Sequence, residues 1–226
     1  MKDNWNLQII GDKVILVPYK EHFVDRYHQF MNNDKILELT ASEPLTIEEE
    51  YEMQRTWYID PKKCTFIILC RDMKKEDEYK RNDKTTDSNE RQRIEIDYMA
   101  GDVNLFFHDI DDPHNAEIEI MIAEPSYRNK GFAMEALNLI MYYGFNTLGV
   151  RRFFAKINET NAGSIRLFER MGYIKVNYSE IWKEIEYEFI TYHTDDDDDG
   201  KKADVKRRRD TIESHTKNAV WTTYLD

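Results

Sequence analysis

Apolar positions change period several times along this chain, and each change marks an element. The stretch 13–17 is almost continuously Val, Ile and Leu, as a buried first strand requires. Phe23, Tyr27, Phe30 and Met31 then recur at helical spacing, which predicts an amphipathic helix over 20–31. Thr46 and Glu49 have the spacing of a capping box and predict a second helix over 47–58, with Pro44 shaping the loop before it. Residues 65–70 and 99–107 read as paired strands, 117–122 as a third, and 153–157 as a fourth. A long helix is expected from about Gly131 toward Leu148, and strands over 173–177 and 182–190 close the sheet.

Two segments fall outside this pattern. Residues 72–97 are dense in charge and carry almost nothing to bury, so they read as a disordered hairpin insertion. After residue 192 the chain turns to five aspartates, a glycine and a basic run at 206–209, read as a disordered charged tail. The organisation expected is an extension over 1–11, one domain over 12–192 interrupted by that insertion, and the tail over 193–226.

Charge and composition narrow the function. A formal net charge of -12 disfavours nucleic acid as a partner and suits a cationic one. No apolar run reaches membrane-spanning length, and the first residues lack the basic-then-apolar form of a signal peptide. A cytoplasmic location follows as the expectation, with nuclear import left open by the basic run. Cys64 and Cys70 lie on one strand, too far apart for a disulfide, and read as reduced packing residues. The six histidines show no metal-ligand spacing and read as surface or loop residues; no metal is expected.

The chemistry concentrates at two strand-to-helix junctions. Arg128-Asn-Lys-Gly-Phe-Ala133 follows the strand 117–122 and opens the long helix. Free N–H groups at a helix start, a glycine that lets the backbone come close, and flanking Arg128 and Lys130 suit a diphosphate. The hexapeptide is not a Walker loop and lacks the three glycines of a dinucleotide turn. About thirty residues on, Asn161-Ala-Gly-Ser164-Ile-Arg-Leu-Phe168 follows a strand and leads to Gly172-Tyr173.

Those two motifs in that order resemble the GCN5-related N-acetyltransferase (GNAT) superfamily. With 14–19, 39–54, 63–68, 101–106 and 117–125, the chain is similar to the N-acetyltransferase nine subfamily over residues 10–190, apart from the insertion. The resemblance implies an α/β GNAT fold, a mixed, mostly antiparallel seven-stranded sheet with about four helices. It also implies acetyl-CoA as co-substrate and transfer of its acetyl group to a protein amine, a lysine or an N-terminus, of tubulin or microtubules. By that resemblance Arg128, Asn129, Lys130, Gly131, Phe132 and Ala133 hold the pyrophosphate, and Met121, Ile122 and Ala123 pair with the pantetheine arm. An N–H near Ile122 faces the thioester oxygen, and Asn161 bonds the arm while also suiting an N-cap.

Glu117 and Glu119 share one face of their strand, where a carboxylate takes the amine proton through a water or simply forms a solvated surface. Glu43 is a second acidic candidate, placed by the resemblance on the acceptor wall, or simply part of a loop shaped by Pro44. Many superfamily members place a Tyr where this chain has Phe168, which has no proton to give. Ser164, one turn earlier, stands as the substitute donor or as a plain helix-surface residue. Two rival readings are an acyl-CoA-binding interaction protein without efficient catalysis, and an enzyme acting on small-molecule amines.

Overall fold

The computed structural model describes residues 3–71, 88–108, 114–192 and 197–224. Nine strands form one sheet among them: β1 (Leu7–Ile10), β2 (Val14–Pro18), β3 (Lys63–Cys70), β4 (Met99–Phe106), β5 (Asn115–Ile122), β6 (Arg152–Asn158), β7 (Ile174–Ser179), β8 (Glu184–Ile190) and β9 (Val220–Thr223). The spatial order is β7-β8-β6-β5-β4-β3-β2-β1-β9. Neighbours are antiparallel except β5 and β6, which run parallel. Seven α-helices accompany them: α1 (Val24–Met31), α2 (Asp34–Thr40), α3 (Ile47–Ile59), α4 (Ser88–Asp97), α5 (Phe132–Asn146), α6 (Ala162–Arg170) and α7 (Asp199–Thr216).

Strand alternation divides the core into two layers. On one face Leu16, Phe66, Val103, Leu105, Ile118 and Phe153 pack under Leu137, Ile140 and Met141 of α5. On the other, Ile15, Val17, Ile67 and Leu69 pack under Phe23, Tyr27 and Phe30 at the start and along α1, with Ile36 of α2 beside them. The expected capping box is present: Thr46 accepts from the Glu49 N–H, and Glu49 accepts from the Thr46 N–H at 2.8 Å. Cys64 is buried, Cys70 partly so, and neither forms a disulfide.

Several expectations need correction. Among the described residues the sheet has nine strands rather than seven, and there are seven helices rather than about four. Residues 7–10, assigned to an N-terminal extension, are β1, an integral strand between β2 and β9. The insertion over 72–97 is not disordered throughout, because 88–97 form α4; residues 72–87 lie outside the described residues. Burial of Glu95 explains the order: its carboxylate accepts from the Tyr224 hydroxyl at 2.6 Å and Arg91 Nε at 3.1 Å, with His22 Nε2 at 3.2 Å. The tail is likewise built into the fold. Ile212 of α7 is 2 % exposed, β9 pairs with β1 from Leu7↔Thr223 to Ile10↔Val220, and Trp221 stacks against Tyr143.

Candidate functional site

A split in the sheet organises the site. The β5–β6 ladder ends at Glu117↔Phe154, whereas β5 stays paired with β4 as far as Gly101↔Ile122. The Ala123 N–H donates to the Ala100 carbonyl at 2.9 Å. By antiparallel alternation the N–H groups of Glu119 and Met121 also point to β4, and those of Ile120 and Ile122 point into the gap beside β6. Ile122 therefore presents its N–H to the gap, while Ala123 has its own committed to the sheet.

The loop after β5 turns back sharply. Glu124 caps a 3-10 turn over Pro125–Tyr127 by accepting from the Ser126 N–H at 3.2 Å. Arg128 donates from Nε to the Ile122 carbonyl and from Nη2 to the Ala123 carbonyl, both at 2.9 Å, which pins the loop onto the end of β5. Asn129 and Gly131 have φ of 58° and 86°. Gly131 is the N-cap of α5 and no side chain caps that helix, so its first N–H groups face outward. A Cβ on Gly131 would sit 2.8 Å from Lys13 Nζ, which itself donates to the Lys130 carbonyl.

These pieces line one groove of about 470 Å³. Ile120, Met121 and Ile122 form its floor, Arg128, Asn129, Gly131, Phe132 and Ala133 one end, and Asn161, Ser164, Arg166 and Arg170 of the α6 segment the facing wall. Ile36, Leu39 and Thr40 of α2 close it from above. Asn161 caps α6 through its Oδ1, which accepts from the Ser164 N–H at 3.1 Å, and the residue lines the groove. Phe168 does not line the groove; it is 2 % exposed and stacks edge-on against Tyr173 at 4.9 Å. Lys130 and Glu43 are exposed and stand outside the lining.

A polar cluster occupies the α1 face of β4 and β5. Glu119 accepts from Asn104 Nδ2 at 3.0 Å, and Asn104 accepts from the Thr65 hydroxyl at 2.9 Å. Asp102 is buried, and its Oδ1 has no protein hydrogen-bond partner; the same holds for the buried Tyr19 hydroxyl. Burial, and then the charge of Glu119, push the Asp102 carboxyl up to about 7, with Lys63 opposing. Glu117 is held differently: His108 Nε2 and Lys156 Nζ, the latter at 3.1 Å, both engage its Oε2. Glu117 and Glu119, alike in sequence, thus stand in unlike surroundings.

Sequence reasoning passed over Asp102, His108 and the pair Arg166 and Arg170. The Arg pair was open to detection, since four-residue spacing in α6 puts both side chains on one face. Asp102 and His108 were not, because their neighbours come from other strands. Arg151 and Arg152 lie outside the groove lining: Arg151 stacks on Tyr192, and Arg152 pairs with Glu186 and Glu188. Among the described residues no group of three or more His, Cys, Asp and Glu side chains gathers as metal ligands would.

Residues 13–174 match the family model described as Acetyltransferase (GNAT) domain. The chain is 48% identical over 189 residues to an N-acetyltransferase 9-like protein of Nematostella vectensis, covering 84% of this chain and 88% of that protein. It is 42% identical over 186 residues to the alpha/beta-tubulin-N-acetyltransferase 9 of Homo sapiens, covering 82% and 84%. Among solved structures, a GNAT-family acetyltransferase from Bacillus anthracis superposes with a TM-score of 0.62 at 17% identity, covering 81% of this chain and 98% of that one. The spermidine N-acetyltransferase of Vibrio cholerae, solved with CoA and spermine, gives 0.58 at 16% identity, covering 82% and 95%.

Proposed function

Since the chain belongs to the GNAT acetyltransferase family and is an acetyl-CoA-dependent N-acetyltransferase, we propose that it transfers the acetyl group to an amine of tubulin, a lysine or an N-terminus, in the cytoplasm. One observation carries the chemical part: the opened β5–β6 gap runs into the uncapped start of α5 within a single groove. A long thioester with a diphosphate at its far end fits that arrangement. The kinship with proteins named tubulin acetyltransferases supports the acceptor.

The groove residues divide the work. The first N–H groups of α5, with Arg128 and Asn129 beside them, hold the diphosphate. The Ile120 N–H and the Asn161 amide hold the pantetheine arm. Bound acetyl-CoA supplies an activated acyl group, and the Ile122 N–H is the dipole that steadies the developing oxyanion. Glu119, oriented by Asn104, offers negative charge to the incoming ammonium. Ser164 lines the groove one turn before Phe168 and is the hydroxyl available to the leaving sulfur.

The test is release of free CoA with purified protein, tubulin and a panel of lysine and N-terminal peptides. Acceptor-dependent release that falls about tenfold or more in Glu119→Gln is expected, the loss of a charge-assisted contact to the ammonium. Acetyl-CoA that binds and is never consumed would replace transfer by the interaction-protein reading, and activity on polyamines alone would replace the protein acceptor.

A further inference from the structure

His108 follows β4 and reaches across β5 to the point where the sheet opens. Its Nε2 meets Glu117, whose same oxygen takes Lys156 Nζ at 3.1 Å. The ring lies 4.5 Å from Phe106 at 66° and 5.7 Å from Phe154 at 27°. Lys62 Nζ donates to the His108 carbonyl at 3.2 Å, so backbone and ring are both held. Phe154 is the β6 residue paired with Glu117 in the last rung before the gap. The imidazole side chain is nonetheless 47% exposed, against 10% for Glu117. A histidine fixed in orientation by a buried carboxylate, yet open to solvent beside the gap, has the geometry of a base and its orienting partner.

We propose that His108 is the catalytic residue that takes the proton from the acceptor amine, and that Glu117 is its positioning residue. This rests on the acetyl-transfer reading and gives it a base. The carboxylate of Glu117 accepts the Nε2 proton, which leaves Nδ1 as the basic nitrogen. The acceptor arrives as an ammonium drawn by Glu119. Nδ1 takes one of its three protons, and the freed lone pair forms the C–N bond at the thioester carbon while the carbonyl π pair moves to oxygen. As the carbonyl re-forms, the C–S bond breaks and the sulfur leaves as the thiol with the proton of the Ser164 hydroxyl, which regains one from nitrogen; the third proton stays on the amide. Lys156 has no part in the proton count; its ammonium holds the Glu117 side chain in place.

The experiment compares wild type, His108→Ala and Glu117→Gln in the full chain, reading CoA release and acetyl-CoA affinity. His108→Ala is expected to lower kcat by about 100-fold or more, with acetyl-CoA affinity within about twofold of wild type, and added imidazole is expected to restore part of the rate. Glu117→Gln is expected to lose about tenfold in kcat, a loss imidazole does not relieve. Should His108→Ala fold poorly, His108→Gln carries the same expectation for kcat. A kcat within twofold of wild type, or a loss in His108→Ala that imidazole leaves untouched, overturns the assignment. If wild type turns over and His108→Ala does too, only His108 is wrong; if wild type releases no CoA with any amine, the acetyl-transfer reading falls as well.

Discussion

At the scale of single residues, Asp102 illustrates how burial sets a charge state. Its carboxyl is lifted from 3.8 to about 7, chiefly by desolvation. Between those values the folded chain keeps a proton that the unfolded chain gives up, so stability falls as pH rises through the window and is level above it. A shift of about three units corresponds to as much as about 4 kcal/mol. Asp102→Asn removes the penalty, and its stability relative to wild type should therefore grow from pH 4 to pH 7. Denaturant melts at both pH values check this, and a constant difference refutes it. Gly131 is the second case. At φ 86°, with Lys13 Nζ 2.8 Å from an added Cβ, a side chain costs roughly 1 kcal/mol of backbone strain. Gly131→Glu should also put a negative charge at the mouth of the groove, so acetyl-CoA binding should weaken by tenfold or more while Tm shifts by only a few degrees. Calorimetric titration reads the first and a thermal melt the second.

At the scale of elements, α7 and β9 convert an apparently detached tail into part of the domain. Neither has much to bury alone, but Ile212, Trp221 and Tyr224 each find a partner surface made by α5, β1 or α4. Losing the buried Ile212 and Tyr224 costs about 1.5–3 kcal/mol apiece, and the half-buried Trp221 adds to it. Truncation after Tyr192 also leaves β1 unpaired on one side and Glu95 without its Tyr224 hydroxyl. Such a chain should melt at least about 10 °C lower than the full one. An unchanged melting temperature would show that the tail only rests on the domain.

At the scale of the whole molecule, the net charge of -12 and an anionic co-substrate pull in opposite directions. The groove resolves this locally, because Arg128, Arg166 and Arg170 all line it. A basic cleft in an acidic protein focuses the field locally. Reversing both Arg166 and Arg170 to Glu should raise the KM for acetyl-CoA about tenfold at low salt and leave kcat near wild type. The gap between variant and wild type should narrow at high ionic strength, as screening shortens the reach of exposed charges. A KM that ignores salt in both proteins would mean that these cations lie off the ligand's path.

What the sequence determined by itself was local. The capping box of α3, the amphipathic face of α1, the strand before Arg128 and the glycine that opens α5 each depend on neighbours within about one helical turn, so the chain spells them out. The family-like order of the two junction motifs placed the groove for the same reason. Tertiary structure decided what depends on register and on distant partners. Glu117 and Glu119 are indistinguishable along the strand, yet pairing with β4 and β6 gives one to His108 and Lys156 and the other to Asn104. Asp102 reads as an ordinary strand acid until α1 covers it. The charged segments around α4 and α7 read as disordered because neither holds a core of its own; each is ordered by contacts more than one hundred residues away, such as Tyr224 with Glu95. Periodicity within a segment carries no record of such contacts, because their energy belongs to surfaces that exist only once the sheet has formed.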